Sequence, residues 1–170
     1  MDITELLQKA EEGDAAAQYN LGQCYAYGQG VEQDNAKAVE WFQKAAKQGY
    51  VSAQYNLGVC YANGLGVAQD YAKGTEWWGK AAEQGDVNAQ YYLALAYYNG
   101  QGVAQDYAKA AKWWQKAAEQ ENVKAQFLLG VCYRDGQGVP KDIEKAVEWF
   151  RKAAAQGHEK SQEVLKRLLK

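Results

Sequence analysis

The sequence predicts an all-α solenoid of helix–turn–helix repeats, and three observations predict it. The stretch at 53–88, AQYNLGVCYANGLGVAQDYAKGTEWWGKAAEQGDVN, recurs with starts at Ala17, Ala89 and Ala125, each 36 residues after the one before and without insertion or deletion. A fixed period in the range of about 20 to 50 residues marks a stacked array. Within one period, small and apolar residues fall on a helical face twice. Between the two runs stand the stop and start signals of helices, a glycine and then an aspartate. Each unit packs on its neighbours, so the array reads as one elongated domain, 1–170, with repeats at 17–52, 53–88, 89–124 and 125–160.

The elements follow in order. Residues 1–16 read as an N-terminal capping helix in phase with the second helix of a repeat, with Leu6 in the Phe42 slot and Ala10 in the Ala46 slot. Glu5 stands where the repeats have Trp41, which requires that this face meet water. In the repeat itself, Ala53, Leu57, Gly58, Cys60 and Tyr61 share the face of the first helix. Gly64 suits the left-handed position that ends a helix. Gly66 and Val67 turn the chain, and Asp70 is placed to cap the next helix through its carboxylate. Gly74, Trp78, Ala81 and Ala82 form the stripe of the second helix, which Gly85 closes. The spacing predicts helices of about 12 and 15 residues. Gly74 and Gly79 read as weak points of about 0.5–1 kcal/mol each against alanine. Repeat three is rich in tyrosine, with Tyr91, Tyr92, Tyr97 and Tyr98 in one helix, and repeat four holds the single proline, Pro140. Residues 161–170 restart the first helix as a C-terminal cap. Lys166 occupies the close-packing glycine slot there, so both ends of the array read as finished.

Small residues at Gly22, Gly58, Ala94 and Gly130 are expected to let paired helices approach, and the aromatics at 42, 78, 114 and 150 to fill the gap between layers. Glu40–Lys44, Glu76–Lys80 and Glu148–Lys152 are spaced as ion pairs on solvated outer helices.

The recurring A-x-x-x-L-G-x-x-Y-x-x-G-x-G-V-x-x-D-x-x-K-A-x-x-W-x-x-K-A-A-x-x-G resembles the Sel-one-like repeat (SLR), a relative of the tetratricopeptide repeat. The resemblance covers 17–160 and departs at Gly74, Ala94 and Glu121, with Asn122 expected to take over the cap beside Glu121. It implies a right-handed α-superhelix that serves as a non-catalytic adaptor for other proteins. In some secreted members of that family a pair of cysteines holds each repeat. Here Cys24, Cys60 and Cys132 supply at most one per repeat, and equivalent atoms in successive layers lie too far apart to bridge. They read as free, buried thiols, which favours a cytoplasmic home.

Composition excludes several classes. The formal net charge is −2, with no basic stripe for nucleic acid. No run of about 18 apolar residues is present to span a membrane. The N-terminus carries acids and no long apolar core, so it is not a signal peptide as it stands. The lone histidine, His158, has no partner for a metal or a catalytic pair. The Gly-x-Gly pairs at 28/30, 64/66, 100/102 and 136/138 lack a following Lys-Ser/Thr and read as turns rather than phosphate cradles. The row Asp34, Asp70, Asp106, Asp142 reads as N-caps rather than calcium ligands. No cofactor and no metal are expected.

Alignment with tetratricopeptide repeats puts the first helices on the concave side. The candidate binding residues there are Tyr19, Gln23, Tyr27, Tyr55, Val59, Asn63, Tyr91, Leu95, Tyr98, Asn99, Phe127, Arg134 and Asp135. Rigid aromatics and amides of this kind combine contact area with hydrogen bonding. Tyr98 and Arg134 stand out, because the equivalent slots hold Ala26 and Ala62. Four first helices at roughly 10 Å spacing give a groove of about 40 Å, enough for about 12 residues of extended peptide or one helix. The expectation is a monomeric scaffold for a protein or peptide partner. The alternatives are an extracytoplasmic binder of cell-wall glycan or a small ligand, and a self-associating structural module.

Overall fold

Each period folds as a helical hairpin because its turns carry the chemistry that stops one helix and starts the next. The computed structural model describes residues 2–169 and places ten helices among them: α1 (Ile3–Glu11), α2 (Ala15–Tyr27), α3 (Asn35–Lys47), α4 (Val51–Asn63), α5 (Tyr71–Glu83), α6 (Val87–Asn99), α7 (Tyr107–Glu119), α8 (Val123–Asp135), α9 (Ile143–Ala155) and α10 (Glu159–Leu168). Gly28, Gly64 and Gly136 take left-handed φ values of 68°, 68° and 73° and donate their N–H groups to the carbonyls of Cys24, Cys60 and Cys132, a conformation that a Cβ would strain. The carboxylates of Asp34, Asp70, Asp106 and Asp142 accept from the amides three residues on at 3.0, 3.0, 2.9 and 3.0 Å. The expected caps are therefore made. Asn122 likewise accepts from the Ala125 amide at 2.9 Å, beside Glu121, which holds a left-handed φ of 66°. Both helices of a hairpin have 13 residues rather than 12 and 15. The second helix stops short because a glutamine, such as Gln84, closes it before the glycine is reached.

The chain divides into two compact units, Met1–Asp86 with α1–α5 and Val87–Lys170 with α6–α10. Within each unit every helix packs on the next one along the chain. The first unit is cored by Leu6 and Leu21 and by Val39, Phe42 and Leu57 with their alanines; the second by Trp114 and Leu129 with theirs. Glu5 is exposed and pairs with Lys9 at 2.8 Å, so the face that carries it does meet water.

The glycines of the first helices are required by the rings opposite them. A Cβ on Gly22, Gly58 or Gly130 would lie 2.6, 2.4 or 2.7 Å from the ring of Phe42, Trp78 or Phe150. Gly74 also lies close to the paired helix: a Cβ there would stand 3.0 Å from the Gly58 carbonyl, at a slot that holds Ala38, Ala110 and Ala146 in the other repeats. Gly79 has open space around it and remains a plain helix weakener.

Two features of the sequence acquire roles that its periodicity left unassigned. Gln18, Gln54 and Gln126 are buried, and their side-chain amides donate to the carbonyls of Ala10, Ala46 and Ala118 on the preceding helix. Their carbonyl oxygens accept from Gln48, Gln84 and Gln156 on the following helix at 2.8, 2.7 and 3.0 Å. Each buried glutamine thus ties three helices together with its polar atoms satisfied. The outer lysines differ from expectation. Of the three Glu–Lys pairs, the structure forms Glu76–Lys80 at 2.8 Å, and all three lysines lie over an indole, Lys44 on Trp41, Lys80 on Trp77 and Lys152 on Trp149, at 3.9, 4.1 and 4.1 Å. The indole face competes well for an exposed ammonium. Cys60 and Cys132 are buried and Cys24 is half-buried rather than buried; all three are free thiols.

Candidate functional site

The first helix of each repeat carries candidate residues that the packing leaves half-buried or exposed. In the first unit these are Tyr19, Gln23 and Tyr27 on α2, and Tyr55, Val59 and Asn63 on α4. In the second they are Tyr91, Leu95, Tyr98 and Asn99 on α6, and Phe127, Arg134 and Asp135 on α8. None of these is sealed in the core, but they divide into two kinds.

The first kind is committed to its own fold. Tyr19 packs on Phe42 and Tyr50 at 5.8 and 5.1 Å and its hydroxyl accepts from Gln23. Burial first, and the Tyr50 hydroxyl second, raises its pKa. Tyr91 meets the edge of Tyr92 at 5.2 Å, and burial raises its pKa too. Phe127 lies between Phe150 and His158, at 5.7 and 4.8 Å. Tyr98, singled out as a recognition residue, packs on Tyr107 and Trp114 at 5.0 and 5.2 Å and donates its hydroxyl proton to Gln137 at 2.9 Å. Arg134, the other, holds Asp135 through two bonds of 2.7 Å. That hydrogen-bonded contact raises the arginine pKa and lowers that of the aspartate. The pair meets a visitor as a neutral dipole rather than as a cation.

The second kind is open. Tyr27 is 69% exposed, and Asn63 and Asn99 are exposed at the ends of α4 and α6. Tyr27 stands on the rim of a cavity of about 290 Å³ between α2 and α4, floored by Ala38 and Phe42 of α3. Its walls are Ala26, Val59 and Cys60, with Gln33, Asn35, Asn56 and Leu65 around the opening. Burial pushes the Cys60 thiol up to about 11, so it stays protonated and serves as an apolar wall. No lining residue is charged. Of this lining, Gln33, Asn35, Ala38, Asn56 and Leu65 escaped the sequence reading. The available signal was departure from the repeat: Asn35 aligns with Tyr71, Tyr107 and Ile143, and Leu65 with Gln29, Gln101 and Gln137.

His158 caps α10, its Nδ1 accepting from the Ser161 amide at 3.3 Å. Among the described residues, no group of three or more His, Cys, Asp or Glu side chains is placed to hold a metal ion, and no helix is long and apolar enough to cross a membrane.

Comparison with known families matches the Sel1 repeat at 15–50, 51–86, 87–122 and 123–158. Among solved structures, a protective antigen present in uropathogenic Escherichia coli strains, displaying an SLR fold, is 44% identical over 95% of this chain and 34% of its own length, with a TM-score of 0.91. A Sel1 repeat protein from Oxalobacter formigenes is 42% identical over 96% of this chain and 48% of its own, with a TM-score of 0.88. Cysteine-rich protein B of Helicobacter pylori is 27% identical over 81% and 99%, with a TM-score of 0.61. The chain therefore spans about a third and about half of the first two. Comparison with curated proteins finds no match. Sel1 repeat proteins generally mediate protein–protein interactions, and the family is typically a non-catalytic scaffold.

Proposed function

The chain belongs to the Sel1 repeat family, and on that premise we propose that it binds a segment of a partner protein on the face formed by the first helices of its repeats. One observation carries this reading. Tyr27 and Val59 remain exposed or half-buried around an uncharged cavity and Asn63 is exposed at the end of α4, while the second helices turn lysines and glutamates outward. Two first helices at roughly 10 Å spacing support about six residues of extended chain per unit. Affinity would come from aromatic and amide contacts, since Arg134 and Asp135 on this face neutralise each other.

A photo-crosslinking amino acid placed at Tyr27 or Asn63, and in separate samples at Glu40 or Glu76 on the second helices, tests the assignment in lysate of the source organism. The expected result is one shared partner band from positions 27 and 63 and none from 40 and 76. Bands only from the second helices, or from no position, overturn the assignment.

A further inference from the structure

We propose that the cavity between α2 and α4 is a socket for one unhydroxylated aromatic side chain, a phenylalanine of the bound segment. The proposal rests on the first-helix binding face and adds what that face selects.

The occupant is argued from the second unit. Two repeats further along, Ala26 becomes Tyr98, Asn35 becomes Tyr107, Phe42 becomes Trp114 and Leu65 becomes Gln137. Those four residues make one cluster: the Tyr98 ring lies on Tyr107 and Trp114, and its hydroxyl reaches Gln137. The chain thus fills one copy of this space with an aromatic ring of its own. In the first unit the side chain that would supply the ring is the methyl of Ala26, and the space stands open at about 290 Å³. That exceeds the roughly 150 Å³ that suffices for benzene in an engineered apolar cavity. The floor still offers an aromatic surface in Phe42. The lining carries no charge, so neither a lysine nor a carboxylate gains anything by entering. Specificity follows from the far end. Where Gln137 accepts the Tyr98 hydroxyl proton, the first unit presents Leu65. A tyrosine entering in the same pose would leave its hydroxyl against an aliphatic side chain, which phenylalanine avoids.

The test uses the full chain and single amino-acid amides, so it needs no partner. N-acetyl-phenylalaninamide is titrated against protein with labelled Val and Leu methyl groups. Saturable shifts at Val59 and Leu65, half-complete on the order of millimolar, are expected. The tyrosine amide should bind about fivefold more weakly, and the lysine amide should leave these methyls unmoved. Ala26→Tyr/Leu65→Gln copies the cluster the second unit already accommodates and should weaken the phenylalanine amide at least about tenfold. No saturable shift in the wild type, a tyrosine preference, or an unchanged affinity in the plugged variant each overturns the proposal. Should the plugged variant fail to fold, Tyr98→Ala runs the experiment in reverse: a second saturable site at Val131 supports the socket and its absence overturns it. The crosslinking result stands separately. Partner capture at Tyr27 with no amide binding removes the socket and keeps the face; amide binding with no capture does the opposite.

Discussion

In the first unit the space between neighbouring first helices is bare down to Ala38 and Phe42; in the second, Tyr98, Tyr107 and Gln137 fill it from three directions. The frame that holds the two spaces is the same. The aspartate caps, the left-handed glycines, the buried glutamines and the ring packed against a small residue recur in both. The difference lies in six slots of the lining, at 26, 27, 35, 42, 56 and 65 and their counterparts, with an aromatic ring kept at slot 42. Stacking depends on the first set of residues and leaves the second set unconstrained. A repeat protein can therefore open or close a socket without touching its frame, because near-neighbour packing keeps the consequences local.

The largest test of that separation truncates the floor. Trp114→Ala removes a buried ring that packs against Tyr98 and should cost about 4–5 kcal/mol. Phe42→Ala removes a ring whose one side already faces the open cavity, and about 3 kcal/mol is expected. Urea denaturation followed by fluorescence and circular dichroism compares them. Equal losses would mean that Tyr98 adds nothing to its floor. The buried glutamines sharpen the comparison from the other side, since they belong to the common frame. Gln54→Leu and Gln126→Leu each remove two side-chain bonds, one to an alanine carbonyl that keeps its backbone partner and one from an exposed glutamine amide. Each should cost about 1–3 kcal/mol, to the same extent in both units. A large difference between them would show that the frames are not equivalent.

The frame was readable in the sequence because it repeats. Four copies in register distinguish a cap such as Asp70 from an incidental aspartate, and the glycine–aromatic pairs from chance. The buried glutamines repeat just as strictly, yet hydrophobic periodicity ignores them: a polar residue on the apolar face becomes intelligible only when its partners on two other helices are seen. A helix propensity likewise does not report the Gly58 carbonyl lying 3.0 Å from where a Gly74 Cβ would be. The site was legible only in outline. Variation at slot 26 drew attention to Tyr98 as a recognition residue, but variation marks both plugs and sockets, and sequence does not say which way a ring turns. Arg134 drew the same attention, and its neighbour Asp135 occupies it.

A finer probe of the plug is its hydroxyl. Tyr98→Phe deletes one bond to Gln137 and should cost about 1 kcal/mol. Tyr27→Phe in the first unit changes a ring that is 69% exposed and should leave stability unaltered. Equal effects would show that the Tyr98 hydroxyl is already content with water.

The smallest effects concern glycine, removed in one unit and introduced in the other. Gly79 sits inside α5 with nothing within 4 Å of a built Cβ, so Gly79→Ala should stabilise by about 0.5–1 kcal/mol through lower chain entropy in the unfolded state. Glu121 ends the α7 hairpin at φ 66° where Gly49, Gly85 and Gly157 end the others. An L-residue is strained there by about 1–2 kcal/mol, part of which returns as the greater freedom of unfolded glycine. Glu121→Gly should therefore also stabilise, by about 0.5–1 kcal/mol. At about 2–4 °C per kcal/mol for a chain of this size, each shift is measurable by thermal melting, and the two should add because they lie in separate units. Should Glu121→Gly prove neutral, the capping bond from Asn122 to the Ala125 amide already holds the turn firmly enough to absorb the strain.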